Sequence, residues 1–186
     1  MADEAQLLTA LTTEHFGLAG ARSQAAGESA SRSALFLGSV SSTLVGLGLT
    51  AQVSSGGTVF RVFALVALPT LFVLGVFTFI RLVELGIEDF MLSGHDDAAG
   101  VLANMGISPG ALQLYFTAAM AVAVVDAVIG GTAVALAVAI AFDTSLALAV
   151  AVGALVALLA VTAAARYQYT RREAGTGHPV LFPTKP

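Results

Sequence analysis

Four stretches of this sequence, at about 34–53, 59–83, 111–142 and 146–165, run for twenty residues or more with almost no charged side chain. A helix needs about 20 predominantly apolar residues to cross about 30 Å of hydrocarbon, so each stretch is long enough to span a bilayer. The fold class this predicts is all-α: a polytopic membrane four-helix bundle. The links between spans are short and turn-forming where two spans lie close together. Ser54-Ser55-Gly56-Gly57-Thr58 follows the first and Asp143-Thr144-Ser145 separates the third from the fourth, which suits antiparallel neighbours.

Composition points the same way. The chain is 57% hydrophobic and 11% charged, whereas a soluble domain carries about 25% charged residues. It has too little charge to clothe a water-facing surface of normal size. With no cysteine, thiol redox chemistry, a zinc–thiolate site and S-palmitoylation are excluded. The net charge of −4 offers no clustered basic face, so no nucleic-acid partner is expected.

Residues 1–33 are polar and open with Asp3 and Glu4, unlike the basic start and apolar core of a secretory signal. Leu7, Leu8, Leu11, His15 and Leu18 recur at helical spacing, extended by Ala21, Ala25 and Ala26. This predicts an N-terminal amphipathic cytoplasmic helix over 1–33, ahead of a four-span domain over 34–170. Placing both termini inside puts Arg22, Arg32, Arg81, Arg166, Arg171, Arg172 and Lys185 on the cytoplasmic side and leaves Arg61 outside. The positive-inside rule therefore predicts a multi-pass protein of the plasma (inner) membrane with cytoplasmic N- and C-termini. Residues 84–110 become an inner loop, in which Glu84–Met91 can prolong the second helix and Asp96–Asn104 can form a short one. Residues 171–186 read as an irregular cytoplasmic tail. Pro69 is expected to bend the second span. The third, at about 50 Å of helix, must tilt, protrude or break at Gly130-Gly131.

Asp126 is the most informative single residue, because an ionised carboxylate within a span costs several kcal/mol. Matching the midpoints of the spans sets Ser41, Ser42, Thr43 and Thr70 at a similar depth, which predicts an intramembrane polar layer around Asp126. Interhelical hydrogen bonding, worth about 1 kcal/mol, is one use of such a layer. A proton or cation relay is another, and a gating or ligand role a third. Small residues repeat every four positions at Ala119, Ala123, Ala127, Gly131, Ala135 and Ala139, at Gly38, Ser42 and Gly46, and at Ala149, Gly153 and Ala157. Such seams let backbones approach closely, within a bundle or between protomers.

Glu84, Glu88, Asp89, His95, Asp96 and Asp97 make the inner loop acidic. They form a candidate interaction surface for a cytoplasmic protein partner. Helix capping accounts for Asp96 or Asp97 better than metal ligation does, so no metal and no cofactor are expected. No span holds a histidine, a cysteine or paired carboxylates, which leaves an intramembrane enzyme without its groups.

Glu14-His15-Phe16, Ala21-Arg22-Ser23 and the run Leu35-Phe36-Leu37-Gly38-Ser39-Val40-Ser41-Ser42 resemble an uncharacterised family of small actinobacterial multi-pass membrane proteins. Phe63-Ala64-Leu65-Val66, Leu68-Pro69-Thr70-Leu71, Gly94-His95-Asp96-Asp97 and Val101-Leu102-Ala103-Asn104-Met105-Gly106 match the same pattern. The resemblance spans most of the chain and implies a multi-pass membrane protein without assigned activity. It also implies a longer, more basic and aromatic inner segment in relatives, and asparagine where this chain has Asp126. A looser architectural similarity connects the chain to helical membrane effectors of bacterial nucleotide-signalled defence. The function expected is that of a non-enzymatic, oligomeric structural, interaction or signalling-effector protein in contact with the lipid bilayer. The alternative is a small proton or cation channel or transporter built around Asp126.

Overall fold

The computed structural model describes residues 2–54, 57–94 and 110–176. These form four helices, α1 (Ala2–Ser54), α2 (Thr58–Gly94), α3 (Gly110–Phe142) and α4 (Leu146–Thr176), with no strand among the described residues. Each contains a stretch long and apolar enough to cross a membrane.

The chain makes α1 a single helix of 53 residues, with no joint where the polar N-terminal third meets the first apolar run. No proline falls inside it, so the intrahelical ladder has nothing to interrupt it. The α2 helix likewise runs on through Pro69, which is exposed, and continues to Gly94, eleven residues into the stretch expected as inner loop. The α3 helix passes unbroken through Gly130 and Gly131. The α4 helix extends to Thr176, six residues into the expected irregular tail. The short helix expected over Asp96–Asn104 lies outside the described residues.

Between α3 and α4 the chain turns within three residues. Asp143 takes φ = 47°, a left-handed conformation that aspartate tolerates better than most side chains and that commonly terminates helices. Ser145 then opens α4. Its Oγ accepts from the Leu148 amide at 3.4 Å and its carbonyl accepts from the Ala149 amide at 3.1 Å, so one residue satisfies two donors of the first turn.

Packing follows chain order. The α3 helix lies between α2 and α4, while α1 rests on α2 and touches α3 only marginally. Along α2, Ala64, Leu68, Leu71, Gly75, Thr78, Leu82 and Leu85 are buried at three- and four-residue spacing, one face of a helix. With Phe36, Phe79, Val83, Phe116, Ala119, Val122, Ala123, Ile129 and Ala133 they enclose the core. Contact pairs fix the register. Phe72 meets Gly130, Gly75 meets Asp126 and Gly86 meets Tyr115, so α2 and α3 run antiparallel. Gly46 beside Phe63 and Glu28 beside Arg81 set α1 antiparallel to α2. Gly131 on Gly153 and Phe116 beside Gln168 do the same for α3 and α4.

Candidate functional site

Asp126 projects from α3 into its contact with α2 and is 4% exposed. Its carboxyl group lies directly against Gly75, where any side chain would collide with Oδ1 and Cγ. The glycine is therefore what makes room for the acid. Asp126 Oδ1 is buried and has no hydrogen-bond partner among the described residues. Thr78, one turn along α2 from Gly75, is also buried, but its hydroxyl donates to the Leu74 carbonyl at 2.8 Å.

The expected polar layer is not assembled. From Phe63 to Arg81 on α2 is the same number of residues as from Gly46 to Glu28 on α1, so Gly75 is level with Ala34. Ser41, Ser42 and Thr43 lie seven to nine residues further along α1, about 11 to 14 Å from that level. Equating span midpoints misplaced them, because the apolar run of α1 is offset along α2 by the position of the connecting turn. Ser42 donates to the Gly38 carbonyl at 2.8 Å instead, and Thr70 is exposed and donates to Val66 at 2.7 Å. Hydroxyls in helices are readily satisfied in this way by the preceding turn.

Arg61 and Arg81 are twenty residues apart on α2, about 30 Å, the thickness of a hydrocarbon core. Gly75 and Asp126 are about 9 Å from the level of Arg81 and about 21 Å from that of Arg61. The acid thus sits nearer the Arg81 end than mid-depth. At that end Arg81 Nε donates to Glu28 Oε1 at 3.1 Å and Arg81 Nη1 to Glu84 Oε2 at 3.5 Å, while Arg32 Nε reaches Glu28 Oε1 at 2.8 Å. The Arg81 guanidinium, and after it Arg32, hold the Glu28 carboxyl below the usual glutamate range. This cluster joins α1 to α2 at the point where the apolar run of α1 gives way to its polar third.

The small-residue seams divide into packed and open ones. Ala119, Ala123, Ala127 and Gly131 are buried on α3, as are Ala149 and Gly153 on α4. Gly131 and Gly153 form the crossing point, each with its Cα against the other's carbonyl. On α1, Gly46 lies beside the Phe63 ring, whereas Gly38 is exposed with nothing within 4 Å of where a Cβ would stand. Among the described residues, nothing packs against Gly38 where a side chain would stand.

Of the acidic loop candidates, Glu84 accepts from Arg81. Glu88 and Asp89 belong to the last turns of α2, and His95, Asp96 and Asp97 lie outside the described residues. Among the described residues, no three His, Cys, Asp or Glu side chains gather as metal ligands. Sequence reasoning missed Gly75, whose signal is that it is the one glycine in the bulky apolar run 59–83. It also missed Gln168, a buried glutamine whose Nε2 donates to the Phe116 carbonyl at 3.0 Å. Next to it, Tyr167 packs against Phe79 with ring centroids 6.1 Å apart, and the Arg171 guanidinium lies 5.4 Å over the Tyr167 ring.

At the other end of α1, every described side chain from Ala5 to Gln24 is exposed. Leu8, Leu11 and Phe16 are among them, at 63%, 55% and 70%. Leu8, Leu11, His15 and Ala21 of the apolar stripe are thus uncovered by the described residues of their own chain. Comparison with protein-family models, with curated proteins and with solved structures returned no match.

Proposed function

We propose that this chain is a four-span protein of the inner membrane, both termini cytoplasmic, that acts without catalysis as an oligomeric interaction or signalling-effector protein. The observation that carries this reading is the N-terminal half of α1. Its described side chains from Ala5 to Gln24 are exposed, Leu8, Leu11 and Phe16 included, and a helix held by no tertiary packing is marginal in water. Its stability calls for a second surface, and a further copy of the chain supplies one with the same apolar stripe. The absence of histidine and cysteine from all four spans supports the non-catalytic part. The bias of Lys and Arg supports the orientation.

The test is the mass of the full chain in mild detergent and in lipid nanodiscs, compared with the double variant Leu8→Glu/Leu11→Glu. An assembly larger than one chain that falls to a monomer in the variant supports the reading. A wild-type chain that stays monomeric in both media rules out self-association through this helix.

A further inference from the structure

We propose that Asp126 is a binding site for a proton, seated against Gly75 between α2 and α3 and exchanged from the Arg81 end of the helices. This goes beyond the interaction reading and does not depend on it. Three observations carry it. The side chain is 4% exposed, its Oδ1 is buried with no hydrogen-bond partner among the described residues, and a glycine stands where any other residue would fill the carboxyl's seat.

The ligand follows from what surrounds the acid. A metal ion needs several oxygen or nitrogen donors, yet no three His, Cys, Asp or Glu side chains gather among the described residues. No counter-charge is paired with it among the described residues. The α3 helix carries no other charged residue, and the nearest charge of α1, Arg32, about 3 Å from the level of Gly75, is exposed and paired with Glu28. The first charge of α4 is Arg166. The nearest charges along α2 are Arg81 and Glu84, about 9 and about 14 Å from the level of Gly75, and Arg81 is bonded to both Glu28 and Glu84. Tyr115 and Tyr167 lie towards that same end, more than two turns away along their helices. The one cation that a lone carboxyl can hold in such a seat is a proton, and the proton turns an uncompensated charge into a neutral acid.

The side of exchange follows from the same register. Towards Arg61 the acid is sealed by the Phe72 ring, which packs on Gly130, and by Leu68, Leu71, Ile129 and Ala133 beyond it. Towards Arg81 the side chains of Phe79, Leu82, Ala119 and Val122 pack as well, but that path is less than half as long and passes the level of Thr78 and of Ser29, both buried and polar.

The test is infrared spectroscopy of the full chain in lipid across a pH series, taken as the difference from Asp126→Asn. The expected result is a protonated-carboxyl carbonyl band, absent from Asp126→Asn, that disappears reversibly as pH rises. The dependence should follow the pH on the Arg81 side when the two sides of a vesicle are set apart. Asp126→Glu should restore a shifted band, which covers the case in which Asp126→Asn folds poorly. Carboxylate bands throughout the series would overturn the proposal. So would a carbonyl band that never responds to pH while the protein stays folded. A band that follows the Arg61 side would overturn the direction of exchange.

Discussion

A methyl group added at Gly153 is expected to force α3 and α4 apart. An ideal Cβ there would stand 2.8 Å from Ala135 Cβ and 3.2 Å from the Gly131 carbonyl carbon, and would overlap the Gly131 oxygen. Carbon atoms pack best at about 3.5–4.0 Å, so the helices must separate locally by roughly 1 Å. Backbone cannot yield by changing rotamer, which makes this costlier than crowding a flexible side chain. Overpacking a close-packed contact costs about 1–3 kcal/mol, so Gly153→Ala should shift the unfolding equilibrium by about 30-fold at the middle of that range. Gly38→Ala is the control, because a Cβ there meets nothing within 4 Å. Both variants trade the same glycine for the same alanine in a helix, so propensity cancels in the comparison. The assay is reversible denaturant unfolding in mixed micelles. Equal stabilities of Gly153→Ala and Gly38→Ala would refute the reasoning, since the crossing of α3 and α4 would then not depend on the absence of a side chain.

Two further outcomes are expected. Gln168→Leu keeps a side chain of similar size at this buried position of α4 but removes the 3.0 Å donor to the Phe116 carbonyl. It should cost about 1–3 kcal/mol in the same assay, and retained stability would show the bond to be dispensable. The Glu28 carboxyl is held below its ordinary value by Arg81 and then by Arg32. Its contribution to stability is therefore present above the unfolded-state value and lost as pH falls through the folded one. Acidification below the usual glutamate range should loosen the junction of α1 with α2, read by spin-label distances across that pair, and Glu28→Gln should abolish the pH dependence.

The unequal legibility of the two ends of α1 shows what local pattern conveys. Its apolar run over 34–53 is visible because an uncharged stretch of that length has few other uses, and the structure places Phe36 in the core. Polarity marks the first third as a separate segment, but its backbone continues the same helix, since polarity changes what solvates a helix and not whether its ladder continues. The seam residues Ala119, Ala123, Ala127, Gly131 and Gly153 were found by spacing and are buried. Gly38 was found by the same spacing and is not. A periodic small face states that close approach is permitted, not that a neighbour is there.

The sequence by itself determined the number of long apolar helices, the short turns that make neighbours antiparallel, and the presence of one acid within a span. These follow from local quantities: transfer free energy summed along a run, and backbone preferences at serine, glycine and aspartate. Only the tertiary structure decided the register of each pair, and with it the level of Asp126 and the partners it lacks. Register depends on which bulky and small side chains interlock between helices far apart in sequence, as Phe72 does on Gly130 and Asp126 on Gly75. Because each helix could slide along its neighbour without changing its own hydropathy, no reading of the runs alone could fix that level.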